Sequence, residues 1–183
     1  VKSTLLNTNI SDAILYVGTF RPKMQSVIRE AVEFIHADSD SDDDSALVVV
    51  TWSLGSSMFF DTIYAMSQEK SRAAADLTAR TELFFMLANQ LPLLDLGTVA
   101  PDRAGLASPQ REQAEGGVPK ALAEFIGARA KARRKFEPQG PGQPWIIAVS
   151  DPNDLLSYPV APAKRRAFPN TFVDVIDSVA DTW

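Results

Sequence analysis

The segment Leu47–Met58, with the sequence LVVVTWSLGSSM, constrains the fold of this chain more than any other segment. It begins with a run of apolar, β-branched residues, which is typical of a strand covered on both faces. From Ser56 to Met66 the apolar residues then follow helical spacing. The pattern predicts a buried strand that turns sharply into a helix, with Ser53 exposed at the turn.

The rest of the chain alternates between short apolar runs and amphipathic stretches. Strands are predicted at Ile14–Phe20, Leu47–Thr51, Glu82–Leu87, Trp145–Val149 and Phe172–Ile176, and helices at Met24–Ala37, Ser56–Met66 and Pro119–Lys135. This alternation predicts a single α/β domain over residues 1–183, with a mostly parallel sheet between two helical layers, a three-layer sandwich. The carboxyl ends of such strands lie along one edge, where ligands bind.

Composition excludes several classes of function. The net charge of -5 argues against nucleic acid or an anionic membrane as a partner. The absence of cysteine excludes disulfides and thiolate metal sites. No apolar run approaches the roughly 18 residues of a membrane span, and no signal peptide is visible. We therefore expect a cytoplasmic protein, whose oligomeric state the sequence leaves open.

Ser53 lies where strand and helix are expected to meet. In a nucleophile elbow a serine at this turn adopts a strained backbone conformation, small residues flank it, and its oxygen points outward. Gly55 follows two residues later, whereas Thr51 stands two residues earlier, where a glycine is usual. The alternative is that Ser53 only caps the helix that follows. The strand-turn-helix context favours the elbow.

The stretch T-W-S-L-G-S, followed by Phe60-Asp61, resembles the elbow of serine esterases and lipases of the α/β-hydrolase fold. Trp52 occupies the position where that family usually carries histidine. The resemblance implies that Ser53 attacks an ester carbonyl and that the Leu54 N–H helps to stabilise the oxyanion. The implied substrate is a small-molecule or lipid ester, with no cofactor and no metal. A catalytically inactive α/β-hydrolase-like binding module is the alternative.

In this family a carboxylate follows a later strand, often in the pattern G-x-x-D-x-x-V-P. Laid on WIIAVSDPNDLLSYP, that pattern places Asp154 at the acid position and Asp151 at the glycine position. The carboxylate orients the catalytic histidine and stabilises its imidazolium. Asp154 is preferred over Asp151, and the alternative is that both are loop residues around a turn.

The catalytic histidine has no candidate in this chain. The only histidine is His36, which ends the helix before the elbow strand and is expected at the opposite edge of the sheet. The family's chain order of serine, acid and histidine places the base after the last strand. Since the chain starts at Val1 and stops at Trp183, we expect a piece truncated at both ends that lacks the base.

Two further predictions concern the surroundings of the site. Residues 97–142, rich in Pro, Gly, Ala and charge, are expected to form an insertion, either a lid or cap or a plain surface excursion. Asn89 and Gln90 follow a predicted strand, where they either line the pocket or satisfy the backbone of a loop.

Overall fold

The computed structural model describes residues 15–16, 18–38, 45–90, 120–133, 144–152, 154, 157–160 and 162–177. Within these ranges the elements follow in the order α1 (Arg21–Asp38), β1 (Leu47–Trp52), α2 (Gly55–Gln68), α3 (Arg72–Arg80), β2 (Thr81–Leu87), α4 (Lys120–Arg133), β3 (Ile146–Ser150), α5 (Pro162–Ala167) and β4 (Phe172–Ile176). This alternation of strands and helices confirms the predicted α/β class.

The four strands form one parallel sheet in the order β1-β2-β3-β4. One row across it runs Val50, Phe85, Ile147 and Val173. Because neighbouring strands follow each other in the chain and run parallel, right-handed crossovers place their connecting helices on the same face. All four carboxyl ends lie along one edge, as predicted.

Helices α1 to α4 pack against one another as a layer on this sheet. An aromatic cluster forms the centre of the core: Phe59 and Phe60 from α2, Phe84 from β2 and Phe125 from α4 have pairwise ring-centroid distances of 4.9 to 6.0 Å. Tilted, edge-on and stacked pairs of this kind add to the free energy gained from burial alone. The cluster joins α2, whose first residues follow Ser53, to the central strands.

The opposite face of the sheet is apolar and open to solvent at its edge strands. Val48, Val50 and Trp52 of β1 are exposed, as are Val173 and Val175 of β4. The prediction that β1 is covered on both faces is therefore wrong. Within the described residues the helices form one layer, and the second helical layer remains a prediction.

The predicted strand at Ile14–Phe20 is also wrong. Leu15 and Tyr16 have helical backbone conformation, residues 18–20 form a turn, and α1 begins at Arg21. A short apolar run fits a buried helical segment as well as a strand, and only packing decides between them. Here Tyr16 is buried and bonded to α2. Helices α3 and α5 were not predicted.

The predicted insertion at 97–142 is described only at 120–133. This part is α4, which connects β2 to β3 and packs on α2 and α3. Its buried Arg129 donates to the carbonyl oxygens of Thr81 (2.6 Å) and Glu82 (3.1 Å) and lies 3.9 Å from the ring centroid of Trp145. The remainder of the insertion, with the lid or cap, lies outside the described residues. None of the described helices is both long and apolar enough to cross a bilayer.

Candidate functional site

Ser53 connects β1 to α2 with its backbone in the left-handed region, at a φ of 53°. Residues other than glycine enter this region at an energetic cost, and such residues cluster at functional sites. The Ser53 N–H donates to the carbonyl oxygen of Leu87 at 2.7 Å, which ties the turn to the end of the neighbouring strand. The backbone at Ser53 is thus left-handed, as the elbow interpretation requires, whereas the residue is half-buried and not exposed as predicted.

Helix capping does not explain Ser53. The N-cap of α2 is Leu54, whose backbone is helical (φ -57°, ψ -26°), and no side chain caps the helix there. The first N–H groups of a helix have no partner within it and carry the positive end of its dipole. Since Leu54 directly follows Ser53, its N–H lies at this positive end of the helix, next to the serine.

Thr51 replaces the usual glycine and is integrated into the turn by two hydrogen bonds. Its hydroxyl donates to the carbonyl oxygen of Phe85 at 2.9 Å, so the 2.8 Å contact with Ser56 Oγ is donated by Ser56. Both hydroxyl-bearing residues are buried. A Cβ at Gly55 would lie 3.9 Å from the Cβ of Thr51, an ordinary van der Waals distance, so the turn does not require glycine at position 55. Thr51 therefore fits here and joins strand, helix and neighbouring strand.

Trp52 occupies the usual histidine position and points away from this core. It is 70% exposed, on the open face of the sheet, because alternate residues of a strand face opposite sides. Its exposure shows that Trp52 is not part of the packing that holds Ser53.

The predicted acid segment lies at the same edge of the sheet as Ser53. Asp151 follows β3 directly, and the Asp154 N–H donates to the Asp151 carbonyl oxygen at 3.0 Å in a turn. Strands β1 and β3 flank β2, so their ends are about 10 Å apart, two strand spacings. The fold brings Ser53 and both aspartates to one edge, and the preference for Asp154 remains a prediction.

Asn89 forms a hydrogen bond with a backbone group of a loop, which is one of the two alternatives drawn from the sequence. Its Nδ2 donates to the carbonyl oxygen of Tyr158 at 2.7 Å, and it is fully buried. Tyr158 belongs to the loop that carries Asp154. The partner of Asn89 lies 69 residues away in the chain, so the sequence carries no signal that identifies it.

His36 lies at the opposite edge of the sheet from Ser53, as predicted. It is near the end of α1, and its Nδ1 is 3.3 Å from Asp76 Oδ2 on α3. Beside it, the Arg80 Nε donates to the carbonyl oxygen of Ser45, just before β1 begins. The length of β1 separates this cluster from the elbow, roughly 20 Å. His36 is therefore not the base for Ser53.

No significant similarity was found between this chain and any protein-family model, curated protein or solved structure. The fold and the geometry of the turn are therefore the observations from which a function can be argued.

Other features of the described residues do not extend the site. No group of three or more His, Cys, Asp or Glu among them could hold a metal ion. A groove of about 510 Å³ lies between α2, α3 and α4, lined in part by Ile63, Ala74 and Phe125. Ile63 is ten residues along α2 from Ser53, about 15 Å of helix, so this groove is separate from the elbow.

Proposed function

We propose that this chain carries the nucleophile of an esterase- or lipase-like serine hydrolase of the α/β-hydrolase fold, with Ser53 as that nucleophile. The observation that carries the proposal is the left-handed backbone of Ser53 between a parallel strand and a helix. This is the strained turn on which the G-x-S-x-G motif depends. In this fold a second helical layer would cover the open sheet face that includes Val48, Val50 and Trp52.

The proposed reaction is acyl transfer from a small-molecule or lipid ester. Ser53 Oγ bonds to the carbonyl carbon while its proton passes to a base, and the carbonyl electron pair moves onto the oxygen. The Leu54 N–H at the start of α2 stabilises that oxyanion. The C–O bond to the alcohol then breaks as the alcohol takes up the proton, and water releases the acid from Ser53.

Asp154 is the proposed acid, which orients a histidine and stabilises its imidazolium. The single histidine of the chain, His36, lies at the wrong edge. The proposal therefore requires a histidine from outside these 183 residues. Without it we expect hydrolysis slower by several orders of magnitude, since the base and the nucleophile act as a unit.

The test supplies the missing base from solution. The rate at which a fluorophosphonate labels the protein is measured at increasing concentrations of imidazole. Imidazole can accept the Ser53 proton. We expect the labelling rate to rise with imidazole and the label to map to Ser53, with no imidazole-dependent labelling in Ser53→Ala. Equal labelling of the two proteins, or none in either, would contradict the proposal.

A second candidate is a catalytically inactive α/β-hydrolase-like interaction module. It is favoured by the position of His36 and by the open apolar face of the sheet, since large exposed apolar patches mark interaction surfaces. The same labelling experiment discriminates between the two, because an inactive module shows no Ser53-dependent reaction with imidazole present.

A further inference from the structure

Asn89 is a fully buried polar residue at the centre of the edge that carries Ser53 and Asp154. It follows β2, the strand between the one that ends at Ser53 and the one that precedes Asp154. Burying an amide without hydrogen bonds costs several kcal/mol of folding free energy. A buried asparagine is therefore stable only where its side chain makes hydrogen bonds. The partners of Asn89 therefore indicate its role.

Asn89 holds both peptide groups of Tyr158. Its side-chain Nδ2 donates to the Tyr158 carbonyl oxygen at 2.7 Å, and its own carbonyl oxygen accepts the Tyr158 N–H, also at 2.7 Å. The Asn89 N–H donates to the carbonyl oxygen of Val149 on β3 at 3.3 Å. One residue thus continues the sheet pairing beyond the end of β2 and fixes a loop residue from two sides.

The same stretch of chain also holds the elbow. Leu87, two residues before Asn89, accepts the N–H of Ser53 at 2.7 Å. Between them Ala88 has a left-handed backbone with a φ of 48°, which turns the chain from the strand toward the loop. The relative position of Ser53 and Tyr158 is therefore set through three consecutive residues.

The loop that Asn89 anchors is the one that carries the proposed acid. The Ser157 N–H donates to the carbonyl oxygen of Asp154 at 3.2 Å, and Ser157 Oγ accepts the N–H of Asp151 at 3.2 Å. These bonds close the loop on itself just before Tyr158. Fixing Tyr158 therefore fixes the end of a loop whose other end is β3.

We infer that Asn89 is a positioning residue, which holds the Asp154 loop against the elbow so that the carboxylate faces a base beside Ser53. The inference rests on the proposed function. Asn89 touches neither the ester nor the base, and it acts through Tyr158 and the loop. Loss of its amide removes the side-chain hydrogen bond to the Tyr158 carbonyl oxygen and loosens the hold on the loop that carries Asp154.

The test is the imidazole dependence of fluorophosphonate labelling at Ser53. If Asp154 stabilises imidazolium beside Ser53, Asp154→Asn raises the imidazole concentration that gives half-maximal labelling. We expect Asn89→Ala to raise it about tenfold, a typical loss for one buried hydrogen bond. The double variant should be no worse than Asp154→Asn, because residues that act through one another are not additive.

Thr81→Ala is the matched control. Thr81 begins β2 at the opposite edge, is also fully buried, and its hydroxyl donates to the Leu77 carbonyl oxygen at 2.7 Å. We expect it to lower the free energy of unfolding and to leave the half-maximal imidazole concentration unchanged. Asn89→Leu, which has a similar size and lacks the side-chain N–H donor without adding a charge, replaces Asn89→Ala if that variant does not fold.

The outcomes separate the inference from the function on which it rests. Labelling that persists in Ser53→Ala would end the nucleophile proposal itself. Labelling that depends on Ser53, with an unchanged imidazole dependence in the Asn89 variants, would overturn the positioning role alone. An effect of Asn89→Ala that adds fully to that of Asp154→Asn, or no effect of Asp154→Asn, would also overturn it.

Discussion

Ser53 adopts a backbone conformation that costs energy for any residue with a side chain, and this cost can be measured. We expect Ser53→Gly to raise the free energy of unfolding by on the order of 0.5–1 kcal/mol, because the relief of left-handed strain, about 1–2 kcal/mol, exceeds the extra backbone entropy that glycine loses on folding. Ser53→Ala should leave it nearly unchanged, since alanine keeps the strain. Urea unfolding measures both. A helix cap would give the opposite result, with both substitutions destabilising.

Thr51 is the residue at this turn whose hydroxyl joins three elements. Thr51→Val keeps the shape and leaves the Phe85 carbonyl and the Ser56 hydroxyl without this partner. We expect a loss of about 1–3 kcal/mol in the free energy of unfolding, the cost of unpaired buried groups. The control is Thr78→Val. The Thr78 hydroxyl donates to the Ala74 carbonyl oxygen, which already accepts a bond within the helix, so this variant should lose less free energy of unfolding than Thr51→Val. Equal losses would show that Thr51 does not hold the turn.

At the scale of elements, Tyr16 joins the segment before α1 to α2. Its hydroxyl donates to Asp61 Oδ2 at 2.6 Å, and Arg21 donates to the same oxygen at 2.6 Å. Burial, followed by the hydrogen bond to Asp61, raises the pKa of Tyr16 well above its ordinary value near 10. The buried tyrosine thus packs this segment against α2.

The raised pKa makes stability depend on alkaline pH. Above about pH 10 the unfolded chain releases the Tyr16 proton and the folded protein keeps it, so rising pH favours unfolding. The contribution of the Tyr16 proton to the free energy of unfolding is fully present below about pH 10. Above that pH it falls by up to about 1.4 kcal/mol per pH unit. Urea unfolding between pH 8 and 11 should show a shallower decline for Tyr16→Phe.

At the scale of the whole molecule, the two faces of the sheet differ in what covers them. Val49 packs against the core beneath the helices, whereas its neighbour Val50 is 60% exposed on the other face. We expect Val49→Thr to cost about 1–3 kcal/mol, because it places a hydroxyl in the core. Val50→Thr should cost less than about 0.5 kcal/mol, as for other surface substitutions. Urea unfolding at several protein concentrations checks both, and equal costs would mean that the open face is covered in solution.

The sequence alone predicted the elements whose signal is local. The signal for each of these elements lies within a few consecutive residues. It is a β-branched run at β1, helical spacing in α2 and short apolar runs at β3 and β4. Because parallel strands joined by helices must end at one edge, the location of Ser53 and Asp154 along that same edge also followed from pattern and handedness.

Tertiary structure decided what depends on residues far apart in the chain. The helical segment at Tyr16 bonds to Asp61, 45 residues away, and Asn89 bonds to Tyr158, 69 residues away. The exposure of Val50 depends on which face of the sheet the helices cover. A continuous apolar run in the sequence does not indicate that face. Local sequence patterns thus determined the elements and their common edge. The burial of each face, and the hydrogen bonds by which residues 87–89 hold Ser53 and Tyr158, arise only when distant segments pack together.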